Sequence, residues 1–307
     1  MQYQLRHGIF GTVLRLQQEW EDSFLKVVDD NNVKEVELNH SWGWKHHGNL
    51  AFLAGLKDKR LLALRLLDSM IVDLVPIHQL SGLQDLSVGT DKHTEIDLVH
   101  FPDLERIVLE LNSRARSFSA GKSLRVLHVF NSGGKDASEF AGLESLEFLD
   151  IRTGPMRTIR GLSTSRKLKY VHLSHLTKLE TLVGLDAAPS LEELTIDTCK
   201  KIKTLAPLSR LTNLRLIEMN NCGSIESLEP LANLKKIESI RIAQTTDIVD
   251  GDIKLLKKLP ILKKVYFRER DHYNLRNDDF ASELAEPEIR KTDSDSLLGR
   301  NIGGELR

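Results

Sequence analysis

Two consecutive segments of this chain are near copies of each other at an offset of 23 residues: LEELTIDTCKKIKTLAPLSRLTN over 191–213 and LRLIEMNNCGSIESLEPLANLKK over 214–236. Both read L-x-x-L-x-Φ-x-x-C-x-x-I-x-x-L-x-P-L-x-x-L, with Φ apolar. The first places Leu191, Leu194, Ile196, Cys199, Ile202, Leu205, Pro207, Leu208 and Leu211 on this frame. The second places Leu214, Ile217, Met219, Cys222, Ile225, Leu228, Pro230, Leu231 and Leu234 on it. A fixed period of this length, with a strand-like start and a return of different spacing, is the mark of a stack of coils that share one continuous core.

The register extends well beyond the two copies. Units start at Val33, Leu61, Leu83, Leu104, Leu124, Leu146, Leu168, Leu191, Leu214, Ile237 and Leu262, and all but the 28-residue first step are 20 to 25 residues long. Triplets such as Leu83/Leu86/Val88, Leu146/Leu149/Ile151 and Ile237/Ile240/Ile242 predict a short strand at each start. In the returns, Met156/Ile159/Leu162 and Ile202/Leu205/Leu208 recur every third residue, which predicts 3₁₀ turns. Pro76, Pro207 and Pro230 fall in these returns, where a missing backbone donor is tolerated. The ninth position of each unit, at the corner, holds Ser69, Asp91, Asn112, Ser132, Gly154, Leu176, Cys199, Cys222 and Thr245. Small hydrogen-bonding residues suit a corner whose backbone groups need partners. Leu176 departs from that chemistry and predicts a looser corner, or one shifted by a residue.

The predicted order is an N-terminal strand and helix over 1–32, a repeat body over 33–270, a C-terminal cap over 271–285 and a flexible charged tail over 286–307. Trp20, Phe24, Val27 and Val28 carry the helical spacing of the first part. The formal charge of -1 gives no general attraction to nucleic acid or membranes. The two cysteines occupy equivalent repeat positions, so packing is expected of them rather than a disulfide or zinc framework. No apolar run has the length of a membrane span, and the start MQYQLRHGIFGTVLRL lacks the pattern of a secretion signal. A soluble cytoplasmic chain, monomeric when free, is the expectation.

Alternation along each strand sends repeat positions 4 and 6 to the core and positions 3, 5 and 7 to the open face of the sheet. The predicted partner-binding surface is Val126, His128, Phe130, Phe148, Asp150, Arg152, Tyr170 and His172, continued by the acidic Glu193, Asp197 and Glu218 and by the basic Arg241. Aromatic anchors with a polar rim are what a protein hot spot requires. The loop NHSWGWKHHGN, with Trp42, Trp44, His40, His46 and His47, is a second contact candidate, and its histidine spacing matches no zinc motif. No phosphate loop, H-E-x-x-H, G-x-G-x-x-G or G-x-S-x-G motif is present, and a shallow sheet offers no water-excluded pocket. No enzyme activity, cofactor, metal or nucleic-acid partner is expected.

The 22- to 23-residue unit closing with TLAPLSRLTNL and SLEPLANLKKI resembles the internalin-like, bacterial type of leucine-rich repeat over about Val33 to Phe267. The resemblance implies an α/β solenoid: a right-handed leucine-rich-repeat horseshoe with a concave parallel sheet of about eleven strands and short 3₁₀ or irregular returns. It also implies recognition of another protein. Cysteines stand at Cys199 and Cys222 where the family more often has asparagine, and the immunoglobulin-like domain and cell-wall anchor of the family are not expected here. Two functions fit: a stand-alone recognition module, or a dedicated inhibitor such as an immunity protein that occludes a toxin or another enzyme.

Overall fold

The computed structural model describes residues 2–45, 48–162 and 164–280. They form two compact units that divide in the sequence between Phe130 and Asn131. The predicted tail over 286–307 and the histidines His46 and His47 lie outside the described residues.

The first unit opens with an antiparallel hairpin of β1 (Tyr3–His7) and β2 (Thr12–Leu16), followed by helix α1 (Ser23–Asp30). The helix buries Phe24, Val27 and Val28, and Tyr3 meets Phe24 edge-on at 5.8 Å. Strand β2 pairs in parallel with β3 (Val33–Asn39), and β4 (Ala63–Leu67), β5 (Asp85–Asp97), β6 (Arg106–Arg116) and β7 (Val126–Phe130) continue the parallel order. Val36 and Leu38, Leu64 and Leu66, Leu86 and Val88, and Ile107 and Leu109 are all buried. Each such leucine or isoleucine contributes about 2 kcal/mol through the area it removes from water.

Strands β5 and β6 run past the predicted corners. After an irregularity between Thr90 and Thr94 their pairing resumes from Thr94↔Ser113 to Asp97↔Arg116. A buried hydroxyl chain supports this extension: Thr90 Oγ1 lies 3.0 Å from Thr94 Oγ1, which donates to Ser113 Oγ at 3.3 Å. The segment TEID then alternates, with Ile96 buried and Glu95 paired with Arg116 at 2.9 Å. The loop after β3 also differs from expectation. Trp44 is buried in the core and only Trp42 remains exposed, with the Arg15 guanidinium 3.5 Å over its ring.

In the second unit β8 (Phe148–Arg152), β9 (Tyr170–Ser174), β10 (Glu193–Asp197), β11 (Leu216–Asn220), β13 (Ser239–Ala243) and β15 (Lys264–Phe267) pair in parallel without a register shift. The two-residue strands β12 (Ser224–Ile225) and β14 (Asp247–Ile248) form a second small ladder in the returns. All eleven predicted unit starts across the chain carry a strand, and β1 and β2 add to that number. The returns contain 3₁₀ turns such as Ala206–Leu208 and Glu229–Leu231, with Pro207 and Pro230 in their first positions.

Six consecutive corners follow one rule. In the units starting at Leu124, Leu146, Leu168, Leu191, Leu214 and Ile237 the eighth residue is left-handed although none is glycine: Asn131, Thr153, His175, Thr198, Asn221 and Gln244 all have φ between 53° and 60°. Its N–H stays in the ladder, as Asn131 to Arg152 O, Thr153 to Ser174 O, His175 to Asp197 O and Thr198 to Asn220 O, each 2.9 Å. The strand thus turns inward without losing a hydrogen bond, and the ninth residue enters the core. Leu176 does so fully buried and in register, so the predicted loosening is absent there. The one-residue shift falls in the Ile237 unit, where Thr246 is buried in place of Thr245. At the other corners Cys199 Sγ reaches Asp197 O at 3.4 Å, and Cys222 Sγ reaches Ile196 O at 3.4 Å and Asn220 O at 3.3 Å. Burial pushes both thiols up to about 12.

One side chain caps the outer edge of β15 at Phe267. Asn277 Oδ1 accepts from Phe267 N at 3.1 Å while its Nδ2 donates to Phe267 O at 2.9 Å.

Two outcomes follow from this geometry. Gly184 has φ 113°, and a Cβ there would lie 2.2 Å from Ile159 O, so Gly184→Ala lowers stability. Urea unfolding will show a loss of at least about 2 kcal/mol. Ellman's reagent at about pH 8 will leave both thiols of the native chain unmodified and titrate both after denaturation, because only the thiolate reacts.

Candidate functional site

The outward positions of the second unit form three short rows across the sheet. Phe148, Tyr170, Glu193 and Leu216 are register neighbours in the first. Asp150, His172, Thr195, Glu218, Arg241 and Tyr266 are neighbours in the second. Arg152, Ser174, Asp197, Asn220 and Ala243 make the third. Adjacent strands lie about 4.8 Å apart, so each side chain in a row touches or shields the next.

That crowding corrects several expectations of exposure. Phe148 is buried, with the Tyr170 ring 6.4 Å from its own. Asp150 is buried because two neighbours close over it: Arg152 Nη2 pairs with its Oδ2 at 2.8 Å, and His172 Nδ1 lies 3.1 Å from its Oδ1. Glu218 is only 4 % exposed between Thr195 and Arg241. In the first unit Val126 is fully buried beside its register partner Arg106. His128 and Phe130 on the same strand are half-buried. Tyr170, His172, Arg152, Glu193, Asp197 and Arg241 are half-buried on the open face of the second unit.

The acidic residues differ in their partners. Asp197 Oδ1 accepts from Thr198 Oγ1 at 3.0 Å. Glu218, among the described residues, accepts no hydrogen bond and forms no ion pair. Burial raises its carboxyl above the ordinary value, and Glu193 adds to the rise, while Arg241 and His172 act against it. Beside it, Asn220 Oδ1 and Arg241 Nε are buried with no hydrogen-bond partner among the described residues. The Arg241 guanidinium lies 5.0 Å over the Tyr266 ring.

A separate ionic cluster, absent from the predicted surface, occupies the open face of the first unit. Glu35, Glu37 and Asp85 are buried. Arg15 pairs with Glu37 at 2.8 Å, Arg65 with Glu35 at 2.8 Å and with Asp85 at 3.6 Å, and Arg106 with Asp85 at 2.9 Å. Phe10 N adds a 2.6 Å hydrogen bond to Glu35 Oε1. Burial opposes the charge of Arg65, but Asp85, Glu35 and Glu37 outweigh it and hold the guanidinium above its usual value. The signal was available in VKEVELN, which puts two glutamates at positions 3 and 5 of one unit. Among the described residues no group of three or more His, Cys, Asp or Glu is placed to hold a metal, and no helix is long and apolar enough to cross a membrane.

A raised carboxyl favours the protonated form, so the buried charge of Glu218 costs stability above its folded-state value and costs nothing below the ordinary one. Glu218→Gln will therefore raise the melting temperature at neutral pH. The gain will fade as pH drops toward about 4, which a pH series of thermal melts will read.

No protein-family model matches the chain, and no curated protein matches it. Solved structures do. An internalin from Listeria monocytogenes superposes with a TM-score of 0.62 at 20% identity, over 77% of this chain and 67% of its own. The mouse RP105/MD-1 complex matches with a TM-score of 0.61 at 17% identity, over 83% of this chain and 45% of that one. With the in-register strands, 3₁₀ returns and inward corners described above, these likenesses give the chain the fold of an internalin-like leucine-rich-repeat protein.

Proposed function

We propose that this chain is a non-catalytic recognition module that binds a protein partner on the open face of its sheet. The observation that carries the reading is the pair of adjacent half-buried rows of the second unit, where Tyr170 and Glu193 in one and His172, Thr195, Arg241 and Tyr266 in the other present side chains on a single regular surface. Such a surface supplies rigid anchors whose rotamers are limited by their neighbours, so little entropy is lost on binding. A structural neighbour solved as a complex supports a binding role for this kind of scaffold. The reading places the chain in the cytoplasm of a bacterial cell, where the thiols of Cys199 and Cys222 stay reduced.

Phe148 is a poor probe of this surface, because charge at a buried ring would unfold the strand. Tyr170→Ala and Tyr266→Ala truncate half-buried side chains that pair with no buried charge. Each will keep the wild-type melting temperature within about 3 °C while weakening partner capture at least about tenfold. The assay is affinity capture from lysate of the source cell with identification by mass spectrometry. One stoichiometric partner lost in both variants fits a dedicated inhibitor, and several weak ones fit an adaptor. Full retention in both variants would overturn the surface.

A further inference from the structure

The strongest unexplained chemistry in the described residues is the group around Glu218. Glu218 is 4 % exposed as a residue, and its carboxylate forms no hydrogen bond or ion pair among the described residues. Asn220, two residues along β11 and on the same side, has a buried Oδ1 that accepts nothing. Thr195 and Asp197 are the register partners of these two on β10, and Arg241 is the partner of Glu218 on β13. A buried acceptor without a donor destabilises the fold, and a buried carboxylate without a partner does so more strongly. The first unit shows the contrast, since its buried acids Glu35, Glu37 and Asp85 all have arginine partners within 3.6 Å.

We infer that Glu218 and Asn220 form a receptor for an arginine side chain of the protein partner. This rests on the reading of the open face as a recognition surface and adds the chemistry of one contact. The charge of Glu218 selects a cation: Arg241 and the half-buried His172 share its row, yet neither forms an ion pair with its carboxylate among the described residues. The geometry selects a guanidinium over an ammonium. Two acceptors spaced two residues apart on one strand lie about 7 Å apart at their Cα atoms, a span that a flat fork with several N–H donors bridges and a point charge does not. Arginine also loses less on leaving water than lysine, which suits a carboxylate already desolvated by its neighbours. Glu218 gives the paired bond, Asn220 Oδ1 the inner one once the guanidinium has entered, and Thr195 limits the approach from the β10 side.

The test uses the full ¹⁵N-labelled chain and the peptide acetyl-Gly-Arg-Gly-amide, with citrulline and lysine versions as controls. The arginine peptide is expected to shift the amide signals of Thr195, Glu218, Asn220 and Arg241. The neutral citrulline peptide is expected to leave them in place, and the lysine peptide to bind at least about tenfold more weakly than arginine. Glu218→Gln will weaken the arginine peptide at least about tenfold, whereas Glu226→Gln, an exposed acid in the return, will leave it unchanged. The absence of shifts at these residues, equal binding of citrulline or lysine, or equal loss in Glu226→Gln each overturns the inference. The two levels separate in the capture assay. A partner that Tyr170→Ala loses and Glu218→Gln keeps leaves the recognition surface standing and removes the arginine contact. A partner that both variants keep removes the surface itself.

Discussion

Within each unit the strands of the main sheet, β3 to β7 in the first and β8, β9, β10, β11, β13 and β15 in the second, take their backbone partners from their neighbours in sequence. That in-register ladder is the constraint on which the rest depends. It fixes which residues of each unit point inward, since a one-residue slip would turn Leu194 and Ile196 out to water and Thr195 into the core. The left-handed corner preserves the ladder at its end. By keeping the eighth N–H bonded to the next unit, Thr153, Thr198 and their counterparts let the chain turn with no orphaned donor. Non-glycine residues in this conformation cost about 1 kcal/mol or more each, and the shared hydrogen bond offsets that cost.

The period of the chain was legible because the core of each coil is built from residues close in sequence. Leu191, Leu194 and Ile196 specify a strand whatever lies far away. The long strands β5 and β6 were not legible, because Thr90, Thr94 and Ser113 stabilise the extension only after two units are side by side. Exposure on the open face was misjudged for the same reason. Alternation states which side of the sheet a residue faces, but burial on that side is set by neighbours about 22 residues away. Asp150 faces outward as the pattern requires and is still buried by Arg152 and His172. Trp44 entered the core from a loop whose composition resembles a surface segment.

The two units put different electrostatics on the same repeat positions. In the first, carboxylates at positions 3 and 5 alternate with arginines, so each buried charge has an opposite neighbour and the cluster ties β2, β3, β4, β5 and β6 together. In the second, Glu218 sits at position 5 with Thr195 on one side and a guanidinium turned toward Tyr266 on the other. Paired charges of the first kind rigidify a surface, while an unsatisfied charge of the second kind holds binding energy in reserve.

Asn277 gives the second unit a defined stop. Its amide supplies one acceptor and one donor to Phe267, the same pair that a following strand would offer. A single side chain thus stands in for a following strand at the last residue of β15. Another chain could pair with that edge only by first displacing an amide that is already bonded twice. Growth of the sheet in that direction, whether by an added repeat or by a neighbouring molecule, therefore meets a molecular cork of one residue.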